Sequence, residues 1–177
     1  MTDKLIFRNA ALSDIENITV LKQQVWIATY AIDGIRKEFA EYVLSEFTLD
    51  KIQKAVLDDN KHLIIAEVDT HLVGYIEIAL HSECPIEITK DYPEIAVLYV
   101  LERFCGMGIG KKLLDEAFIL LSKMNYRTTW LTVYSGNDRA LKFYLNNLFK
   151  MIGITYFEMG GNKYENKVLI RELEYHQ

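Results

Sequence analysis

The sequence predicts a mixed α/β fold, one sheet with helices packed against it, and three observations lead there. Apolar residues form short β-branched and aromatic runs in some stretches and recur at every third or fourth position in others, the signatures of strand and helix. These stretches follow one another as strand, helices, three strands, helix, strand, helix and two strands. Half of the 177 residues are hydrophobic and only two are proline, which supplies a core and leaves no linker; residues 1–177 read as a single domain.

Leu5–Arg8 opens the chain as a short strand. Ser13-Asp14-Ile15-Glu16 has the form of a capping box, and Ile18, Leu21, Val25 and Ala28 continue on one helical face to about Tyr30. Ile35, Phe39, Tyr42 and Val43 mark a second helix. Thr48 is placed to cap a third, striped by Leu49, Ile52 and Val56. The pattern changes at His62: residues 63–68 and 72–79 are strand-like runs joined by Asp69-Thr70-His71, an antiparallel hairpin. Ile95–Leu101 is almost wholly apolar, as in a strand buried on both faces. A helix follows with Leu113, Leu114, Ala117, Phe118, Leu121 and Met124 on one side. Thr128–Tyr134 is a strand, and Asn137 caps a helix marked by Ala140, Leu141, Tyr144, Leu145 and Leu148. Two last strands, near Ile152–Met159 and Lys163–Ile170, flank the turn Gly160-Gly161-Asn162.

Composition excludes several classes of function. The N-terminus lacks the apolar core of a signal peptide, and no apolar run approaches the roughly 18 residues that span a bilayer. Two isolated cysteines make neither a disulfide framework nor a metal site, so a cytoplasmic protein without a metal is expected, with no membrane partner. His62, His71, His81 and His176 have no metal-ligand spacing. The net charge of −5 and the lack of a basic patch argue against nucleic acid. Acidic residues concentrate instead. Seven carboxylates against four cations lie in residues 33–60, and five against Lys90 alone in residues 77–94. Such runs are either solvated faces or a field that draws in a cationic substrate.

The most informative stretch is Leu98-Tyr99-Val100-Leu101-Glu102-Arg103-Phe104-Cys105-Gly106-Met107-Gly108-Ile109-Gly110-Lys111-Lys112-Leu113-Leu114. Here an apolar strand passes through alternating glycines into an amphipathic helix. Glycine lets successive amides converge on one concavity, and the helix N-terminus adds about half a positive charge, which together suit phosphate oxygens. A Walker loop would need glycine where Cys105 stands and Ser or Thr at Lys112. A dinucleotide fingerprint would need glycine or alanine at Lys111.

This stretch resembles the acetyl-CoA loop of the GCN5-related N-acetyltransferases, the GNAT superfamily, whose motif is Gln/Arg-x-x-Gly-x-Gly/Ala. The resemblance runs from Leu63 to Phe149, and Asn137-Asp138-Arg139-Ala140-Leu141-Lys142-Phe143-Tyr144 matches the family's Asn-x-x-Ala-x-x-Phe-Tyr. Arg103–Gly108 fits the first motif literally. The register in which the final glycine opens into basic-x-Leu-Leu is preferred, and it puts Cys105 at the Gln/Arg position with Gly108 and Gly110 as motif glycines. Either affinity then falls slightly, or Arg103, Lys111 or Lys112 compensates for the missing side chain. Leu148-Phe149 stands where the family often has Gly-Phe.

The resemblance implies a mostly antiparallel sheet of six to seven strands, with a splayed central pair and about four flanking helices. It also implies acetyl-CoA as co-substrate. The pyrophosphate is then held by Gly106, Met107, Gly108, Ile109, Gly110 and Lys111 beside Cys105, and the pantetheine arm by Leu98, Tyr99, Val100 and Asn137. Acyl transfer to an amine requires a base for the ammonium and an acid for the departing thiolate. The resemblance gives these roles to Glu94, acting directly or through water, and to Tyr144. Trp26, Tyr30 and Glu94 would line the acceptor site, although the two aromatic residues are equally explained as core. No nucleophilic triad is visible. The expected acceptor is a small cationic amine, as in the polyamine acetyltransferases that several features resemble. An antibiotic, an amino acid or a protein N-terminus stays open as acceptor, and a homodimer is expected by analogy. A non-catalytic acyl-CoA sensor and a nucleotide-binding module are the readings from other classes.

Overall fold

In a computed structural model, the described residues are 4–87 and 92–173, so the expectations at Lys90, Asp91 and His176 lie outside them. The elements in order are β1 (Leu5–Asn9), α1 (Ile15–Tyr30), α2 (Lys37–Glu46), α3 (Leu49–Leu57), β2 (Lys61–Val68), β3 (His71–Ala79), β4 (Glu94–Val100), α4 (Ile109–Lys123), β5 (Thr128–Tyr134), α5 (Asp138–Asn146), β6 (Lys150–Met159) and β7 (Asn162–Glu172). The sheet has seven strands in the order β1-β2-β3-β4-β5-β7-β6. Pairing of β4 with β5 is parallel, and β1–β2, β5–β7 and β6–β7 are antiparallel. The expected mixed, mostly antiparallel sheet is present, with five α-helices where about four were expected. None of the described helices is long and apolar enough to cross a membrane.

Two compact units divide the chain: Met1–Ile78 with Val97–Phe118, and Ala79–Ala96 with Ile119–Gln177. In the first, β2 and β3 are joined by Asp69 and Thr70 at φ 48° and 70°, the left-handed pair that matches the twist of a two-residue hairpin. Ile15, Ile18 and Leu21 of α1 pack with Ile52 and Ala55 of α3 onto Leu63, Ile65 and Tyr75. Leu49 and Ile35, expected on buried stripes, are 51 % and 62 % exposed, because α3 turns Ile52 and Ala55 inward and Ile35 precedes α2. The cap of α1 also differs from expectation. Asp14, rather than Ser13, closes the entry: its carboxylate accepts from the Ala11 amide at 2.7 Å and from both terminal nitrogens of Arg8, at 2.7 and 2.9 Å. The same guanidinium bonds Glu67, and its hydrogen bonds hold the Asp14 carboxyl below the usual range. Thr48 caps α3 as expected, accepting from the Lys51 amide at 3.3 Å.

β4 departs from the doubly buried strand its composition suggested. Ile95 is buried, but Ala96 is exposed and Val97–Val100 are half-buried. Gly74 on β3 allows a close approach to the far end of β4. A Cβ there would stand 2.8 Å from the Tyr99 carbonyl oxygen.

In the second unit, β6 and β7 turn through Gly160 and Gly161 at φ 57° and 77°, with Met159 opposite Asn162. α5 stops earlier than expected, at Asn146. The Asn147 amide bonds back to the carbonyls of Phe143 and Tyr144, and Phe149 takes the buried place. Leu148, expected on the apolar face, is 62 % exposed at φ 64°. A left-handed leucine costs about 1–2 kcal/mol, whereas glycine costs about 0.5–1 kcal/mol in extra chain entropy. Leu148→Gly is therefore expected to raise stability by about 0.5–1 kcal/mol, read as a higher urea midpoint at unchanged slope. A lower midpoint would mean that Leu148 packs better than its exposure implies.

Candidate active site

The first unit carries the glycine loop. A short 3-10 turn, Glu102–Phe104, leads from β4 to Cys105, and Gly106 and Gly108 then lie at φ 80° and 81°. Lys112 makes the first bond of α4, its amide donating to the Gly108 carbonyl at 3.1 Å. The amides of the first helical turn have no intrahelical acceptor, and they converge with the dipole at this point. A Cβ on Gly106 or Gly108 would meet nothing within 4 Å, so backbone conformation, rather than room, demands glycine there. The cradle is open and suits a diphosphate. Gly110 lies inside α4, so the left-handed pair is Gly106 and Gly108.

Cys105 does not reach toward the loop concavity. Its thiol lies 3.7 Å from the carbonyls of Val100 and Leu101. Lys111 is exposed and paired along the helix with Asp115, while Arg103 and Lys112 are exposed and Met107 is 64 % exposed at the tip. Leu98, Tyr99 and Val100 are half-buried, and the Tyr99 ring meets Tyr75 edge-on at 6.0 Å.

Trp26 is a core residue. It is 4 % exposed, stacked between Tyr30 (4.6 Å) and Tyr42 (5.1 Å), with Phe39 and Phe47 at its edges. Direct contact with an acceptor does not suit a ring so enclosed, and its part is to hold the half-buried Tyr30 in place. The acidic segment 33–60 is largely paired within itself: Arg36–Glu38, Lys37–Glu41, Lys51–Glu46 and Lys54–Asp50. Glu77 belongs to no acidic face at all. It is 4 % exposed and lies between Lys61 at 2.8 Å and Lys22 at 3.8 Å. Burial pushes the Lys22 ammonium down in pKa, against the pull of Glu77. A cavity of about 240 Å³ beside α3 and the start of β2, lined by Asp58, Asp59 and His62 among others, holds none of the expected site residues.

The second unit carries Glu94, Asn137 and Tyr144. The backbone before Glu94 is fixed to β5, with the Pro93 carbonyl accepting from the Thr129 hydroxyl (2.8 Å) and the Trp130 amide (3.1 Å). The Ser82 hydroxyl donates to Glu94 Oε2 at 2.5 Å. Asn137 caps α5, its Oδ1 accepting from the Ala140 amide at 3.0 Å. Tyr144 follows two helical turns later. It is 8 % exposed, with the rings of Phe143 and Phe149 at 5.3 and 5.5 Å, edge-on. Burial raises its phenol well above the usual value, so the group keeps its proton at neutral pH.

Ser82, Gly74 and the Lys22–Glu77–Lys61 cluster were not found by reading the sequence. Gly74 had a signal, an isolated glycine inside a strand. Ser82 and the lysine pair had none, because their partners come from remote segments.

Comparison with known proteins bears on the whole chain. A family model described as the acetyltransferase (GNAT) family matches residues 28–148. An uncharacterized N-acetyltransferase of Mycobacterium tuberculosis is 24 % identical over 137 residues, covering 77 % of this chain and 83 % of that protein. The spermidine N(1)-acetyltransferase of Thermoplasma acidophilum is 26 % identical over 150 residues, covering 81 % and 87 %. Among solved structures, the PaiA N-acetyltransferase of Thermoplasma acidophilum in complex with coenzyme A superposes with a TM-score of 0.73. It is 20 % identical, and the match covers 96 % of this chain and 99 % of that one.

Proposed function

The chain belongs to the acetyltransferase (GNAT) family, and from that premise we propose that it transfers the acetyl group of acetyl-CoA directly to a primary amine of a small cationic acceptor. The observation that carries this reading is the pair of left-handed glycines, Gly106 and Gly108, at the mouth of α4. The amides from Gly106 to Lys111 would hold the diphosphate, and Leu98, Tyr99, Val100 and Asn137 the pantetheine arm. Acetyl-CoA supplies the activated acyl group as its thioester.

The remaining chemistry falls to side chains of this protein. Glu94 takes a proton from the acceptor ammonium at its carboxylate, directly or through a water, which frees the nitrogen lone pair. Tyr144, protonated at neutral pH, gives its phenolic proton to the leaving sulfur. The polyamine-like acceptor is supported by the net charge of −5 and by the printed activity of the Thermoplasma acidophilum relative. The segment 33–60 supports it less than its composition promised, because four of its seven carboxylates already have local cations.

Thiol release from acetyl-CoA over a panel of polyamines, aminoglycosides, amino acids and peptides tests the reaction and names the acceptor. Coenzyme A binding with no acceptor-stimulated release would leave a sensor rather than an enzyme. Within the panel, Glu94→Gln is expected to lower kcat by ~10²–10³-fold and leave acetyl-CoA affinity within about twofold of wild type. Turnover that survives this substitution would remove Glu94 from the reaction.

A further inference from the structure

Glu94 is held from two sides. On the chain's own side, its backbone is anchored on β5 through the Pro93 carbonyl. On the other, the loop between β3 and β4 returns Ser82 to the carboxylate, twelve residues earlier in sequence, at 2.5 Å. That loop is itself seated. Ile86 lies against Gly153, where a Cβ would come within 2.8 Å of the isoleucine Cδ1. The contact falls at the irregularity of β6 between Met151 and Gly153, so an extra residue in the edge strand and a missing side chain together make the seat.

A hydroxyl that donates to a carboxylate over so short a distance makes a charge-assisted bond, which favours the ionised form and fixes one rotamer. A general base needs both properties before its acceptor arrives. Resting on the reading of Glu94 as the base, we propose that Ser82 is a positioning residue for that carboxylate, delivered to it by the seating of Ile86 on Gly153. Among the described residues of the same loop, His81, Glu83, Cys84 and Glu87 are titratable, and Cys84 senses the Glu94 charge. Its thiol is pushed up first by burial and also by the Glu94 charge, so it stays protonated and adds no competing charge. The β5 residues alongside, Thr129, Trp130 and Leu131, carry no ionisable group.

The experiment uses the full chain and the acceptor that the amine panel identifies, with Ser82→Ala, Ser82→Thr, Glu94→Gln and the Ser82→Ala/Glu94→Gln pair. Ser82→Ala is expected to lower kcat about tenfold, with KM for both substrates within about twofold. The acid limb of its kcat/KM profile should move to higher pH, because a carboxylate that has lost a donor holds its proton more tightly. Ser82→Thr keeps the hydroxyl and should restore both kcat and the limb, which separates positioning from a general loss of structure. On the Glu94→Gln background, Ser82→Ala should add no further loss. Ser82→Ala with wild-type kcat and an unmoved acid limb would overturn the positioning role and leave the base intact, as would independent, multiplicative losses in the double variant. Wild-type turnover in Glu94→Gln would overturn both.

Discussion

Replacing Tyr144 by phenylalanine is expected to lower turnover by ~10²–10⁴-fold while acetyl-CoA affinity changes little. The size follows from what the substitution removes. The ring keeps its edge contacts with Phe143 and Phe149, so packing is preserved and only the proton donor is lost. The change removes one buried hydroxyl and leaves the surrounding rings in place, so stability should stay within ~1 kcal/mol. Rapid-quench or thiol-release kinetics at saturating acceptor measure the effect, with calorimetry for the cofactor. Wild-type turnover in Tyr144→Phe would return the residue to core packing. An intermediate result, kcat unchanged with weakened cofactor binding, would make it a wall of the site instead.

The second large effect concerns the loop. Changing both Gly106 and Gly108 to alanine places two Cβ atoms in left-handed backbone, at about 1–2 kcal/mol each. The loop relieves that strain by leaving the conformation in which its amides converge, and binding must restore it. Coenzyme A affinity is expected to fall by ~30–10³-fold, the equivalent of about 2–4 kcal/mol. The fold should survive, since neither Cβ would meet an atom within 4 Å. Gly110→Ala is the matched control. Its position is helical, where alanine is at least as good, and cofactor affinity should stay near wild type. Titration calorimetry with coenzyme A reads all three. Equal affinity in the double variant would show that the amides of this turn do not carry the diphosphate.

The parts of the molecule that could be read from the chain alone are those decided by neighbours in sequence. Thr48 and Asn137 cap the helices they precede, and Gly160-Gly161 closes the hairpin they sit in. The strand–glycine–helix succession at residues 94–123 appears where it was expected for the same reason. Interactions between remote segments were out of reach. Asp14 displaced Ser13 as the entry cap because Arg8, on a strand, reaches it. Glu77 looked like one more surface carboxylate until Lys22 and Lys61 enclosed it from α1 and β2. The apolar run 95–101 was misread as doubly covered. Hydrophobicity records what a strand avoids, and it does not say whether protein or a ligand will provide the cover. Ser82 sits in a loop without periodicity and gains its meaning only when Ile86 docks on Gly153.

The approach of β3 to β4 at Gly74 sets a limit on how the protein can be altered. Of the three atoms a methyl at that point would crowd, two are the ends of side chains, Val100 Cγ2 at 3.2 Å and Leu113 Cδ1 at 3.4 Å, and these can rotate or be trimmed. The third is the Tyr99 carbonyl oxygen at 2.8 Å, part of the backbone that lies next to the expected thioester. Second-site suppressors that shrink Val100 or Leu113 therefore relieve only the softer contacts. Tolerance of a side chain at position 74 must therefore come from a shift of the β4 main chain at Tyr99.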